Sequence, residues 1–334
     1  MSLQKSLLIL GSNSFAGGCL VEQSLLAGYK VIGINRSAEQ NMNMLPYQLA
    51  GFSASTQYQF YALDLNLHFE EICQVILKFQ PEYIVDLAGQ GMVAESWRNP
   101  EQWYQTNVVA KAKLISFLNQ QNFLKRYLRV STPEVYGSTD ILIKESSIYS
   151  PSTPYAVSHA AIDMHINAYV QQYNFPAIIT RFSNFYGPTQ QLYRIIPRAI
   201  IYAKLGKKLP LHGGGLATRA FIYGDDAARG ILAALDRGAI GESYHFSTQD
   251  FVTIRQLVEV IYKELSLNFD DMVNMADERP GKDLKYLMDD SKAQKELGWQ
   301  PQVNLQRGIS NTISWVNKHW PEIQQQPFNY IHKV

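Results

Sequence analysis

The chain reads as an α/β protein: a doubly wound parallel sheet followed by a smaller, more irregular C-terminal region. Three observations predict this. Short apolar runs recur between longer segments of helical periodicity. The first run ends in a glycine-rich turn that opens a helix. The runs are apolar throughout, as in strands buried on both faces by flanking helices.

The elements follow in order. Leu7–Leu10 is a strand that ends in Gly11, Phe15–Ala27 has helical spacing and stops before Gly28, and Lys30–Ile34 is the next strand. Phe60–Leu63, a helix near His68–Phe79, and Tyr83–Asp86 continue the alternation. A long helix near Pro100–Gln121, a strand at Tyr127–Ser131, a helix at Tyr155–Tyr173 and a strand at Ala177–Phe182 complete it. Beyond about residue 185 the alternation fades, and Pro188, Pro197, Pro210 and Gly213–Gly215 mark irregular backbone. The expected division is a Rossmann-like domain over 1–185, with a return segment about 217–248, and a mixed substrate-binding domain over 186–334.

Bulk composition narrows the partners. The 334 residues are 46% hydrophobic, enough for a sizeable core, and 30 basic against 29 acidic residues leave a net charge of +1. No long run of one sign argues for nucleic acid or a membrane surface, so a small-molecule partner is expected. Cys19 and Cys73 have no metal-ligand spacing and form no disulfide framework, which fits a reducing, cytoplasmic setting with no metal. The apolar stretch at 6–11 gives way at once to Ser-Asn-Ser, too short for a signal segment or a membrane span.

The turn after the first strand reads GSNSFAG. Gly11 and Gly17 stand where a dinucleotide fold needs a tight turn and close helix approach, Ser14 takes the middle glycine position, and Phe15 opens the helix whose amides can meet a pyrophosphate. Ser14 implies a slightly less close backbone approach. The second strand ends in Asn35-Arg36-Ser37 rather than a carboxylate. A carboxylate would repel a 2′-phosphate, whereas these three residues can hold one, so NADP is expected ahead of NAD. Asp64 and Leu65 are placed against the adenine, and Leu87, Ala88 and Gly89 along the cofactor.

STPEVYG at 131–137 and PSTPYAVSH at 151–159 carry the chemistry. Tyr155 and His159, at i and i+4 of one helix, share a face, and a phenol beside a cation ionises more easily. In isolation Tyr-x-x-x-His is usually ordinary packing, and Glu134 alone is an ordinary loop carboxylate. Their order and spacing here reverse both readings.

These motifs, with the stretch at 91–111, RFSNFYGP at 181–188, LHGGGLATRAFIYGDDAARGI at 211–231 and ERPGKDLKYLMDDSKAQKELGW at 278–299, resemble the extended short-chain dehydrogenase/reductases, and among them the nucleotide-sugar 4,6-dehydratases. The resemblance covers nearly the whole chain. It implies that Tyr155 takes the proton of the sugar 4-hydroxyl during hydride transfer, that Thr132 bonds the 4-oxygen, and that Glu134 removes the C5 proton so that the C6 hydroxyl leaves as water. It also implies that Asn184, Arg194, Arg219 and Arg279 contact the sugar diphosphate, and that the helices near 100–121 and 155–173 pair in a homodimer.

Two positions depart from the family. Pro133 stands where the dTDP-glucose enzymes have the acid that protonates the departing oxygen, and Glu134 or a water would have to take that role. His159 replaces a lysine that binds the nicotinamide ribose. An unperturbed histidine is cationic in only roughly a quarter of molecules at pH 7, so weaker, pH-dependent assistance is expected from it. A 4-epimerase, which has no use for a C5 base, a UDP-glucuronate decarboxylase, and a weakened sensor of NADP or nucleotide sugar are the competing readings.

Overall fold

Leu7 and Ile9 pack into one buried apolar layer and Leu8 and Leu10 into another, so the first strand is covered on both faces. Ile32 and Ile34 join the layer of Leu8, while Val31 joins that of Leu7. This two-sided burial explains why the strands are apolar throughout. The protein is described by a computed structural model covering residues 5–39, 44–52, 55–277 and 285–333.

Seven strands build the central sheet: β1 (Ser6–Leu10), β2 (Lys30–Asn35), β3 (Tyr58–Ala62), β4 (Tyr83–Asp86), β5 (Arg126–Ser131), β6 (Ala177–Phe182) and β7 (Ser243–Phe246). All pairings are parallel, in the order β3-β2-β1-β4-β5-β6-β7. The order reverses direction between β1 and β4, and a crevice opens at the carboxyl ends of strands at such a switch point. β7 was not resolved as a strand in the sequence; it lies within the return segment and docks on β6.

Helices α1 (Phe15–Leu26), α2 (Phe69–Phe79), α3 (Pro100–Tyr104), α4 (Ala110–Leu118), α5 (Pro154–Tyr173) and α6 (Gly224–Arg237) flank the sheet. α1 and α6 contribute Leu20, Val21, Ile231 and Ala234 to one layer, and α2, α4 and α5 contribute Ile76, Leu114 and Ile162 to the other. The single long helix expected near 100–121 is instead three pieces, because Gln105–Val109 between α3 and α4 is a π-helical turn. Periodicity could not reveal it, since the buried positions Trp103, Asn107, Ala110, Lys111 and Leu114 keep an ordinary helical spacing through it.

A third apolar cluster lies beyond the sheet, built on Ile196, Ile200, Leu257, Ile261, Ile309 and Val316 from the helices Ile195–Lys204, Ile254–Glu264 and Leu305–Lys318. Short strand pairs, both parallel and antiparallel, surround it. One parallel pair, Leu142–Ile143 with Leu287–Met288, ties this region to the loop after β5. Among the described residues, no helix is long and apolar enough to cross a membrane.

Glu22 on α1 gives the fold a pH dependence. Burial, then the Asp225 carboxylate at the start of α6, push it up to about 7. An acid whose pKa rises on folding binds more protons when folded, so its contribution favours the fold below pH 4.5 and is lost as pH rises toward 7. Glu22→Gln is therefore expected to raise Tm at pH 8 and to change it little at pH 4.5, as thermal melts at both pH values will show.

Candidate active site

The crevice at the β1/β4 switch is lined by Gly11, Ser14, Asn35, Arg36, Asp64, Leu65, Leu87, Ala88 and Gly89, which come from the carboxyl ends of β1 to β4. Gly11 has φ of +86°, and a Cβ on it would lie 2.9 Å from the Ala88 nitrogen. A Cβ on Gly17 would lie 2.1 Å from the Gly11 carbonyl, so both glycines are required by the turn. Ser14 adopts extended backbone and caps α1, its hydroxyl accepting from the Gly17 amide at 3.0 Å. A side chain is thus tolerated at the middle position. Phe15 is not part of the lining: its ring is buried, against Gly187 and Gly224.

Asp64 shapes its own turn, accepting from the Asn66 amide at 2.7 Å and the Leu67 amide at 3.2 Å. At the mouth, the Ser37 carbonyl accepts from Asn13 and Asn35, each at 3.2 Å. The C-terminal segment also arrives there. Arg36 donates to the Lys333 carbonyl at 3.1 Å, Gln90 to the same carbonyl at 2.9 Å, and Lys333 Nζ to the Ser37 hydroxyl at 3.1 Å. His332, stacked on Trp103, seats this segment. Nothing in the sequence pattern pointed to residues so distant in the chain.

Thr132 follows β5 directly and caps a short 3₁₀ turn, Pro133–Tyr136, that presents Glu134. Its hydroxyl also bonds the Tyr155 phenol. Burial, then the Glu134 carboxylate, push that phenol above its ordinary value, while Thr132 and Arg129 pull it down. Glu134 also raises the buried Tyr286 phenol, which burial chiefly sets at about 12. Tyr286 donates to Asn184 Oδ1 at 2.9 Å, and the Arg219 guanidinium lies over its ring at 4.3 Å. Thr132, Glu134, Tyr155, Tyr286, Asn184 and Arg219 therefore form one constellation. Tyr286 was missed in the sequence, although it lies inside a motif noted there. Arg194 is exposed over Tyr193 and does not join this group. Arg279 lies outside the described residues.

His159 corrects the sequence reading. It shares a face with Tyr155, with ring centroids 4.6 Å apart, but it is buried, and burial, then Arg129, Lys111 and Arg181, hold its pKa well below the ordinary value. It is a neutral imidazole. The partly cationic residue expected from an unperturbed pKa is absent because a guanidinium, at 3.0 Å from Nδ1, occupies the place of a proton. The cations lie behind it. Lys111 donates to both oxygens of Asp86, at 2.8 and 2.7 Å, and to the Ala88 carbonyl. Burial acts to raise Asp86, but Lys111 and Arg129 outweigh it and hold the carboxyl below its usual range.

The π-helical turn places a further residue that was not singled out. Asn107 donates to the Gln90 carbonyl at 3.1 Å and to Ser158 at 3.0 Å, and accepts from the Gln90 amide at 2.9 Å. It ties α5 to the loop after β4. A π turn at a functional site re-aims a side chain in this way.

A nucleotide crevice beside a Thr-Glu-Tyr constellation defines an extended short-chain dehydrogenase/reductase. Residues 8–312 match the family described as GDP-mannose 4,6 dehydratase, and the chain belongs to that family. It is 28% identical to the dTDP-glucose 4,6-dehydratase of Neisseria meningitidis over 95% of both chains, and 28% identical to that of Escherichia coli over 94% of both. The crystal structure of the dTDP-glucose 4,6-dehydratase of Streptomyces venezuelae with NAD bound superposes with a TM-score of 0.85 at 30% identity, covering 95% of this chain and 98% of that one. UDP-glucuronic acid 4-epimerase from Bacillus cereus, at 22% identity and TM-score 0.85, shares the fold.

Asn107→Ala strands the buried Gln90 amide and carbonyl, so it is expected to cost about 1–3 kcal/mol of stability. Denaturant unfolding of both proteins checks this, with dinucleotide affinity falling in parallel.

Proposed function

We propose that the chain converts a nucleotide-diphosphate hexose to its 4-keto-6-deoxy form, with NADP preferred over NAD. The observation that carries this reading is the convergence of Thr132, Glu134 and Tyr155: a hydroxyl bonded to a phenol, and a carboxylate close enough to raise it. A base for a hydroxyl proton and a base for a carbon acid then stand side by side.

The crevice fits a dinucleotide: it lies at the switch point, beside a glycine turn and a capped helix start. When bound, the nicotinamide supplies a reversible hydride acceptor. Tyr155 takes the O4 proton as hydride leaves C4, and Thr132 holds the 4-oxygen in line. The resulting ketone acidifies the C5 hydrogen. Glu134 removes it, and the C6–O bond breaks, the hydroxyl leaving as water with the proton that Glu134 took from C5. Pro133 has no proton to give, so one carboxyl serves both atoms. Glu134, reprotonated from solvent, would then give C5 a proton as C6 is reduced. Asn184, Arg219 and, beyond the described residues, Arg279 are assigned to the diphosphate, where guanidinium groups suit phosphate oxygens.

The NADP preference is supported by the end of β2. Asn35, Arg36 and Ser37 carry no negative charge there, and Lys333 adds a cation beside Ser37. A homodimer is supported by apolar side chains left exposed on the helical faces, Tyr104, Val157 and Met164 among them. Buried free cysteines fit a cytoplasmic setting.

Incubation with a panel of nucleotide sugars in deuterated water is expected to give a product lighter by one water, with deuterium at C5. Glu134→Gln should slow turnover by about 10²-fold or more and abolish the C5 label. A product of unchanged mass would instead identify an epimerase, loss of carbon dioxide a decarboxylase, and NADP binding without turnover a sensor. Arg36→Asp is expected to invert the preference of NADP over NAD in titration calorimetry; equal loss for both cofactors would refute the phosphate assignment.

A further inference from the structure

Arg129 has no role in the chemistry above, yet it touches the residue beside the base. It leaves β5 with 1% of its surface exposed. Its Nη2 lies 3.0 Å from His159 Nδ1, and its Nη1 donates to the Asp86 carbonyl at 3.2 Å, with the Asp86 carboxylate at 3.7 Å. Its buried Nε has no partner among the described residues. A guanidinium can only donate, so Nδ1 accepts and the ring proton sits on Nε2. A proton on Nδ1 would set two N–H groups against each other.

The surrounding charges do not balance. Lys111, Arg129 and Arg181 are three buried basic groups and Asp86 and Asp163 two buried carboxylates; burial, then Arg129, bring Lys111 down to about 7, while its contact with Asp86 favours the charged form. Lys111 pairs with Asp86 at 2.7 Å and Arg181 with Asp163 at 2.6 Å, leaving the Arg129 charge as the surplus. That surplus stands one imidazole away from Tyr155. Glu134 acts on the same phenol in the opposite sense.

We infer that Arg129 is the positioning residue of this site: it locks His159 in the Nε2–H tautomer and sets behind it the unbalanced positive charge that favours the Tyr155 phenolate. The neutral ring is then a hydrogen-bond donor with a fixed direction, and the cation acts through it. This rests on Tyr155 being the base, but the tautomer does not.

Two measurements separate those parts. In ¹⁵N-histidine-labelled protein, His159, assigned by its loss in His159→Gln, is expected to show the neutral Nε2–H form unchanged from pH 5.5 to 8.5. An ordinary titration would overturn the inference whatever the enzyme does. Arg129→Met keeps the Lys111–Asp86 and Arg181–Asp163 pairs balanced, so the fold should persist, as a thermal melt will show. It is expected to free the tautomer, lower kcat by about tenfold with KM for the nucleotide sugar little changed, and move the pH profile of kcat to the alkaline side. Adding His159→Lys to that variant places the charge directly and should restore turnover, whereas His159→Lys alone crowds a further cation against Arg129 and should not. If Arg129→Met loses activity through stability alone, with an unshifted profile and no rescue by lysine, Arg129 is only structural.

Discussion

The carboxylate of Asp86 is the point on which the site is assembled. It ends β4, accepts two bonds from Lys111 of α4, a third from the Tyr127 hydroxyl at 2.7 Å and a fourth from the Ala88 amide at 3.1 Å. Its backbone carbonyl holds Arg129. One buried anion thus fixes the loop that lines the nucleotide crevice, the helix behind it and the next strand, and through Arg129 it reaches His159 on α5. Deleting it would leave two buried cations without a counter-charge, the kind of loss that costs several kcal/mol.

Much of the fold was legible because its cause is local. Strands buried on both faces must be apolar throughout, helices between them must show a 3.6 period, and a glycine must stand where Gly17 leaves no room for a Cβ. The ends of β4 and β6 were read to the residue. What failed was equally physical. The π turn at Gln105–Val109 changes the aim of Asn107 without disturbing the apolar stripe, and β7 is four residues whose strand character comes from docking on β6.

The site was legible where chemistry demands a residue type at a spacing, and illegible where it depends on partners far apart in the chain. Thr132, Glu134 and Tyr155 lie within one short stretch. Tyr286 reaches them only because Leu287–Met288 pairs with Leu142–Ile143. Arg129 reads in the sequence as one charged residue inside an apolar strand, and Lys111 as one lysine on a helix; their meaning lies in a meeting across 30 residues with His159 and 25 with Asp86. A charge between Leu128 and Val130 was the signal available. Such charges ordinarily lie at strand edges, whereas this one is inside β5.

Burying three cations and two carboxylates under one helix is a poor way to stabilise a fold, since desolvation costs several kcal/mol per ion and an apolar core of the same volume is often more stable. The two paired sets can at least offset that cost with close bonds, and Arg181 further rests over the rings of Tyr136 and Tyr149. Arg129 has less: one carboxylate at 3.7 Å already held by Lys111, a carbonyl, and an imidazole nitrogen. Its retention is therefore better explained by what it does to its neighbour than by what it adds to stability. A lysine at position 159 would carry its own charge and need no support. A histidine placed there is neutral, has two tautomers and two ring orientations, and is useful only if something selects among them. The arginine behind it makes that selection, so the substitution at 159 and the buried cation at 129 are best understood as one device.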